Sequence, residues 1–259
     1  MRLVRISLQL FLIALLAVPA FGGEDLPCFH KDDFILFQGD SITDGGRQRT
    51  GNDYNHIMGQ DYAYILSSEL GERYPERNLT FINRGISGNN VVDLAQRWAT
   101  DTLAVKPNFL SILIGINDTV GSKKISAETY EQTYDKLLAD TRLAMPDLKI
   151  LLCEPFLLPV GKFKDTYADN MVELKKRQET VARLAGKYHL PLVQLQKAFT
   201  DACQKAPPDH WSWDGVHPTY AGHGLIARCW LQAVRQAWPA DSPAGRATGG
   251  DPSTRPADR

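Results

Sequence analysis

The 259-residue chain sets 29 basic against 30 acidic residues, a formal net charge of −1. No basic block breaks that balance, so neither nucleic acid nor an anionic membrane surface is expected as a partner. The length suits one well-buried core rather than two domains.

Residues 1–22 carry Arg2 and Arg5, then an apolar stretch from Leu8 to Ala17, then small residues including Ala20 and Gly22. This is the pattern of a secretory signal peptide, with cleavage expected after Gly22 and Ala20 the alternative site. The apolar run is too short to span a bilayer comfortably, and the polar GGED follows at once. The expectation is an exported protein, periplasmic or secreted, without stable membrane insertion. Four cysteines remain, Cys28, Cys153, Cys203 and Cys229. Export permits disulfides, and four cysteines allow three complete pairings. Cys153 ends an apolar run and can equally be a core residue, whereas Cys203 and Cys229 could staple the C-terminal region. There is no CxxC pair, which argues against structural zinc.

Short apolar runs then alternate with amphipathic ones. FILF (34–37) predicts a strand. Asp61 to Leu70 predicts a helix closed by Gly71. LTFIN (79–83) is the next strand, and Val91 to Leu103 the next helical region. FLSILI (109–114) predicts a third strand, and Ala127 to Ala144 a helix with Tyr130, Tyr134, Leu137 and Leu138 on one side. LKILLC (148–153), a helix from about Tyr167 to Lys187, LPLVQL (190–195) and a last helix from about Ala221 to Trp238 complete the series. Strand-like runs separated by helical periods indicate βα units. The expected fold is α/β: a three-layer α/β/α sandwich of about five mainly parallel strands. The domain is placed at 23–238. The tail 239–259, rich in Pro, Gly, Ser and Asp, is expected to be disordered.

In open parallel sheets, ligands bind beyond the C-terminal strand ends. The segments following the first four strands are GDS (39–41), NRGISGNN (83–90), GINDT (115–119) and EPF (154–156). All four should face one cleft. Ser41 offers a hydroxyl nucleophile, and Gly39 lets the chain turn sharply before it. WSWDGVHPTYAGH (211–223) supplies a base and its orienting acid, because Asp214 and His217 lie three apart in a turn before the last helix. Such a loop can direct Asp214 to Nδ1 of His217 and leave Nε2 for Ser41. The Ser41 N–H, the Gly88 N–H and the Asn117 side-chain amide can donate to an oxyanion. Each piece also has an ordinary structural use in a turn; their convergence is what points to chemistry. His223 is expected to pack or cap early in the last helix.

These blocks resemble the SGNH hydrolase, or GDSL esterase/lipase, family. GDSIT at 39–43, GISGN at 85–89, GIND at 115–118 and DGVHPT at 214–219 match its four signature blocks in order, across about Phe34 to Trp238. Ile42 stands where the family name has Leu, an apolar exchange that leaves the nucleophile alone. The resemblance implies a flavodoxin-like sandwich, catalytic Ser41, Asp214 and His217, and an oxyanion hole of Ser41, Gly88 and Asn117. It implies an acyl-enzyme mechanism with no cofactor and no metal.

The fold does not choose the ester. Arg47, Asn52, Asp53, Tyr54 and Asn55 follow the nucleophile, Asn89 and Asn90 adjoin the oxyanion hole, and Trp211 and Trp213 stand beside the acid. Aromatic faces with amides and charges suit a sugar ring, so Arg47, Asn89, Trp211 and Trp213 are the candidate substrate-binding residues. The tryptophans could instead pack the last helix. The favoured substrate is an acetylated glycan or sugar. The rivals are a broad short-chain esterase, a lysophospholipase or lipase-like acylhydrolase, and an inactive carbohydrate-binding module. No feature of the sequence specifies an oligomeric state.

Overall fold

A computed structural model describes residues 25–51 and 53–240. The expected signal peptide, all of the tail beyond Ala240, and Asn52 lie outside the described residues. Five strands, β1 (Phe34–Gly39), β2 (Thr80–Asn83), β3 (Phe109–Leu113), β4 (Lys149–Cys153) and β5 (Leu192–Val193), form one sheet in the order β2-β1-β3-β4-β5. Every pairing is parallel. The helices are α1 (Ser41–Asp44), α2 (Tyr62–Arg73), α3 (Val91–Gln96), α4 (Ala127–Ala144), α5 (Tyr167–Tyr188), α6 (Leu195–Ala202), α7 (Pro208–Trp211) and α8 (Tyr220–Ala237).

The central strands are continuous apolar runs because both of their faces are covered. Side chains alternate across the sheet. Ile35, Phe37, Phe109, Leu113, Leu151 and Cys153 enter one core with residues of α2, α6 and α8. Leu36, Leu110, Ile112, Ile150 and Leu152 enter the other with residues of α3, α4 and α5. Ser111 interrupts the apolar run of β3 with a buried hydroxyl, which accepts from Trp230 Nε1 at 3.0 Å. Trp230 is fully buried and packs against Phe29, Phe37 and Phe109, which seats α8 on the sheet.

The structure corrects four local expectations. The helix expected over Val91 to Leu103 stops at Gln96, is capped at Arg97, and resumes as a π-helical turn at Ala99–Leu103. α2 does not close at Gly71. A side chain there would meet open space, so Gly71 is simply a solvent-facing helical position, and the helix ends at Arg73, just before Tyr74 and Pro75. β5 is shorter than LPLVQL, because Gln194 caps α6 and Leu195, Phe199 and Ala202 turn into the core at helical spacing. All four cysteines are free, so Cys203 and Cys229 form no staple, and Cys153 is a buried core residue.

The strand order reverses between β1 and β3, so the chain leaves their C-terminal ends in opposite directions. Such a switch point opens a crevice. Ser41 follows β1 there and Asn117 follows β3.

Candidate active site

Gly39 ends β1 where no other residue fits: a Cβ would lie 2.4 Å from Thr43 Oγ1 and 2.5 Å from the Leu113 carbonyl. The next residue, Asp40, caps the single turn of α1, its Oδ1 accepting from Ile42 N at 2.9 Å. That cap places Ser41 at the first helical position, with its N–H outside the intrahelical ladder. Burial drives the Asp40 carboxyl up to about 7, against the lowering effect of the Ile42 N–H. Asp40 therefore supports the turn.

Asp214 and His217 come from the loop ahead of α8. Asp214 Oδ1 accepts from the backbone N–H groups of Val216 (3.0 Å) and His217 (2.8 Å), which curls the loop around the carboxylate. Oδ2 is then 2.9 Å from His217 Nδ1, and His217 Nε2 is 2.9 Å from Ser41 Oγ. An anionic acceptor on Nδ1 keeps the ring proton there and leaves the Nε2 lone pair facing the hydroxyl. Burial raises the Asp214 carboxyl, but the His217 ring and the two backbone donors outweigh it and hold the group well below the usual carboxylate range. Lys162 Nζ adds a cation 3.6 Å from Oδ2. The loop is pinned by Ser212, whose Oγ donates to the His217 carbonyl (2.8 Å) and accepts from Gly215 N (3.0 Å). Gly215 has φ +98°, and a Cβ there would press on the Leu158 carbonyl at 2.7 Å.

The second loop abuts α1. A Cβ on Gly85 would lie 2.4 Å from Asp44 N. Asp44 Oδ2 accepts from Ser87 N and Ser87 Oγ, both at 2.7 Å, and from Arg49 at 2.6 Å. Gly88 follows at φ +79°, where a Cβ would meet nothing, so its backbone angle rather than crowding calls for glycine. Its N–H has no acceptor among the described residues. Asn117 Nδ2 donates one hydrogen to the Asn89 carbonyl at 2.9 Å, leaving its other amide hydrogen available. Asp118, the next residue, accepts from Val91 N at 2.9 Å, so the third loop also anchors the start of α3.

The four candidate substrate-binding residues have different surroundings. Trp213 is 63% exposed and lies over His217, ring planes 14° apart and centroids 5.3 Å apart. Trp211 packs against the core containing α8, and its indole N–H donates to the Ala206 carbonyl at 3.2 Å. Arg47 Nε donates to the Gly85 carbonyl at 3.1 Å. With Arg49 and Arg84 it lines a cleft of about 650 Å³ along β2 whose lining does not include Ser41, Asp214 or His217. The Asn89 side chain accepts from Arg97 Nε at 2.8 Å. Buried His223 accepts from Tyr62 N at 3.2 Å and so serves the start of α2, a packing and capping position as expected.

Ser212 and Arg97 were not singled out by sequence reasoning. A lone serine in a loop and an arginine at the end of a helical pattern carry no local signal. Among the described residues no cluster of three or more His, Cys, Asp or Glu is placed to hold a metal ion. Chemically, the hydrogen-bonded series Ser41–His217–Asp214 can deprotonate a hydroxyl.

Known proteins resemble this chain over most of its length. The model of the GDSL-like Lipase/Acylhydrolase family matches residues 37–225. The acetylxylan esterase of Geobacillus stearothermophilus is 35% identical over 214 residues, 79% of this chain and 94% of that protein. The crystal structure of that organism's acetylxylan esterase Axe2 superposes with a TM-score of 0.71 at 32% identity, over 80% of this chain and 95% of the other. A GDSL-like lipase from Parabacteroides merdae gives 0.73 at 38% identity, over 80% and 97%.

Proposed function

The chain belongs to the GDSL-like lipase/acylhydrolase family of serine hydrolases acting on esters, and we propose that it removes acetyl groups from an O-acetylated carbohydrate of the xylan type. What supports the reading is the hydrogen-bonded series Ser41–His217–Asp214 at the switch point of the sheet, together with the similarity to an acetylxylan esterase.

In this reading His217 Nε2 takes the Ser41 proton as Oγ attacks the acetyl carbonyl carbon. The carbonyl electron pair moves onto oxygen, and the N–H groups of Ser41 and Gly88 with the Asn117 amide receive that charge. The intermediate collapses by breaking the bond to the sugar oxygen, which leaves with the proton from His217. Water, deprotonated by His217, then attacks the acetyl-Ser41 carbonyl. The second intermediate collapses to acetate, and the proton returns to Ser41. Asp214 remains a carboxylate throughout and holds the imidazolium in place. Trp213, exposed beside His217, offers an aromatic face to a sugar ring. The pattern of residues 1–22 supports action outside the cytoplasm.

The testing experiment compares initial rates on acetylated xylo-oligosaccharide, acetylated pectin, acetylated chitin-derived sugars and medium-chain acyl esters. Fastest release from the xylo-oligosaccharide supports the reading. A preference for medium-chain lipid esters overturns it in favour of a lipase-like activity.

A further inference from the structure

Arg97 caps α3 at a distance from Ser41 in sequence, yet its side chain is only 13% exposed and is directed toward the segments that form the site. Nε donates to Asn89 Oδ1 at 2.8 Å. One terminal nitrogen lies 2.8 Å from both Gln38 Oε1 and the Arg84 carbonyl and 3.1 Å from Asp101 Oδ2, its two hydrogens shared among the three acceptors. The other donates to the Gly39 carbonyl at 3.1 Å. Gln38 is itself held by Asp101 and Thr102.

Three of these acceptors, Gly39, Arg84 and Asn89, lie on segments that deliver the site. Gly39 is the last residue of the strand that delivers Ser41. Arg84 begins the loop that delivers Gly88. Asn89 ends that loop, and its own carbonyl is the acceptor that orients the Asn117 amide. One planar guanidinium thus touches the segments carrying Ser41 and Gly88 and reaches Asn117 through a single intermediate. A guanidinium suits this work because its donors are fixed in one plane and it keeps its charge when buried. A lysine ammonium, a single nitrogen, cannot reach all five of these acceptors at once.

We infer that Arg97 is a positioning residue for the oxyanion pocket, setting the Asn117 amide through Asn89 while tying the β1 end to the second loop. The inference rests on the oxyanion reading of Asn117 given above. Preorganised donors lose effect when their supporting shell loosens, because the transition state must then reorganise them. The loss should therefore fall on kcat and spare KM.

The test uses Arg97→Lys, Asn89→Ala, Asn117→Ala and the Arg97→Lys/Asn117→Ala double variant on a short acetyl ester, with Ser41→Ala as control. Melting temperatures and near-ultraviolet circular dichroism confirm folding. Arg97→Lys is expected to lower kcat about tenfold with KM within about twofold. Asn89→Ala removes only the Nε acceptor and lowers kcat in the same direction with KM held; if Arg97→Lys does not fold, this variant decides. In the Asn117→Ala background, Arg97→Lys is expected to cost less than about threefold further, since coupled residues are not additive. An Arg97→Lys kcat within about twofold of wild type, with only the melting temperature lowered, overturns the inference, as do losses that multiply in full. If wild type shows no turnover that depends on Ser41, the esterase reading falls and this inference with it.

Discussion

Ser41 Oγ and His217 Nε2 lie 2.9 Å apart across 176 residues of sequence. The contact depends on packing well away from it. Trp230 fixes α8 against Phe37 of β1, and α8 also packs against α2. The Asp214–His217 loop enters directly before α8, so the same core that buries Trp230 sets where the imidazole stands.

Asp214→Asn separates orientation from proton transfer. The amide preserves the size of the side chain but can donate to Nδ1, which favours the wrong imidazole tautomer. The kcat on a short acetyl ester should fall by roughly 10³–10⁴, while the fold, read by circular dichroism, is retained. An activity loss of less than about tenfold would remove Asp214 from the mechanism.

Asn117→Ala should lower kcat by about 10²–10³ and leave KM nearly unchanged, the signature of a donor used mainly in the transition state. Steady-state kinetics on the same ester provide the check. An effect confined to KM would mean that Asn117 binds the ground state instead.

Trp213 offers a test that discriminates between substrates. Its face is exposed beside His217, so Trp213→Ala should raise KM for acetylated xylo-oligosaccharide several-fold more than for a small acetyl ester, which has no sugar ring to stack. Equal effects on both would make Trp213 a support for His217 rather than a sugar contact.

His223 gives a pH dependence of stability. Burial, with a smaller effect from nearby His217, lowers its imidazole from 6.5 to about 4. The folded state therefore resists protonation that the unfolded chain accepts. The stability this contributes is fully present above pH 6.5 and is lost as pH falls through about 4. A shift of that size corresponds to about 3 kcal/mol at the acid end. His223→Gln cannot titrate, and its denaturation midpoints should decline less between those two pH values than those of wild type. Parallel declines would contradict this.

Much of the framework is legible in local sequence. The apolar runs of β1, β3 and β4 announce strands covered on both faces, and α4 occupies the span its apolar periodicity predicts. The four loops meet because a parallel sheet delivers them to one end. Other features lack a local signal. α1 is four residues long: its Asp40 cap is local, two residues from its donor, but its place against the sheet depends on the close approach of Gly39 to Leu113, a tertiary fact. The break at Arg97 serves a side chain whose acceptors run from Gln38 to Asp101. α6 is absent from the sequence reading: Leu195, Phe199 and Ala202 stand at helical spacing, but the apolar run 190–195 before them reads as strand.

The most direct measurement is the initial rate of acetate release from acetylated xylo-oligosaccharide by the wild-type protein and by Ser41→Ala. The predicted result is turnover by wild type and a fall of at least about 10³ in the variant. Acetate release that survives Ser41→Ala unchanged would contradict the account.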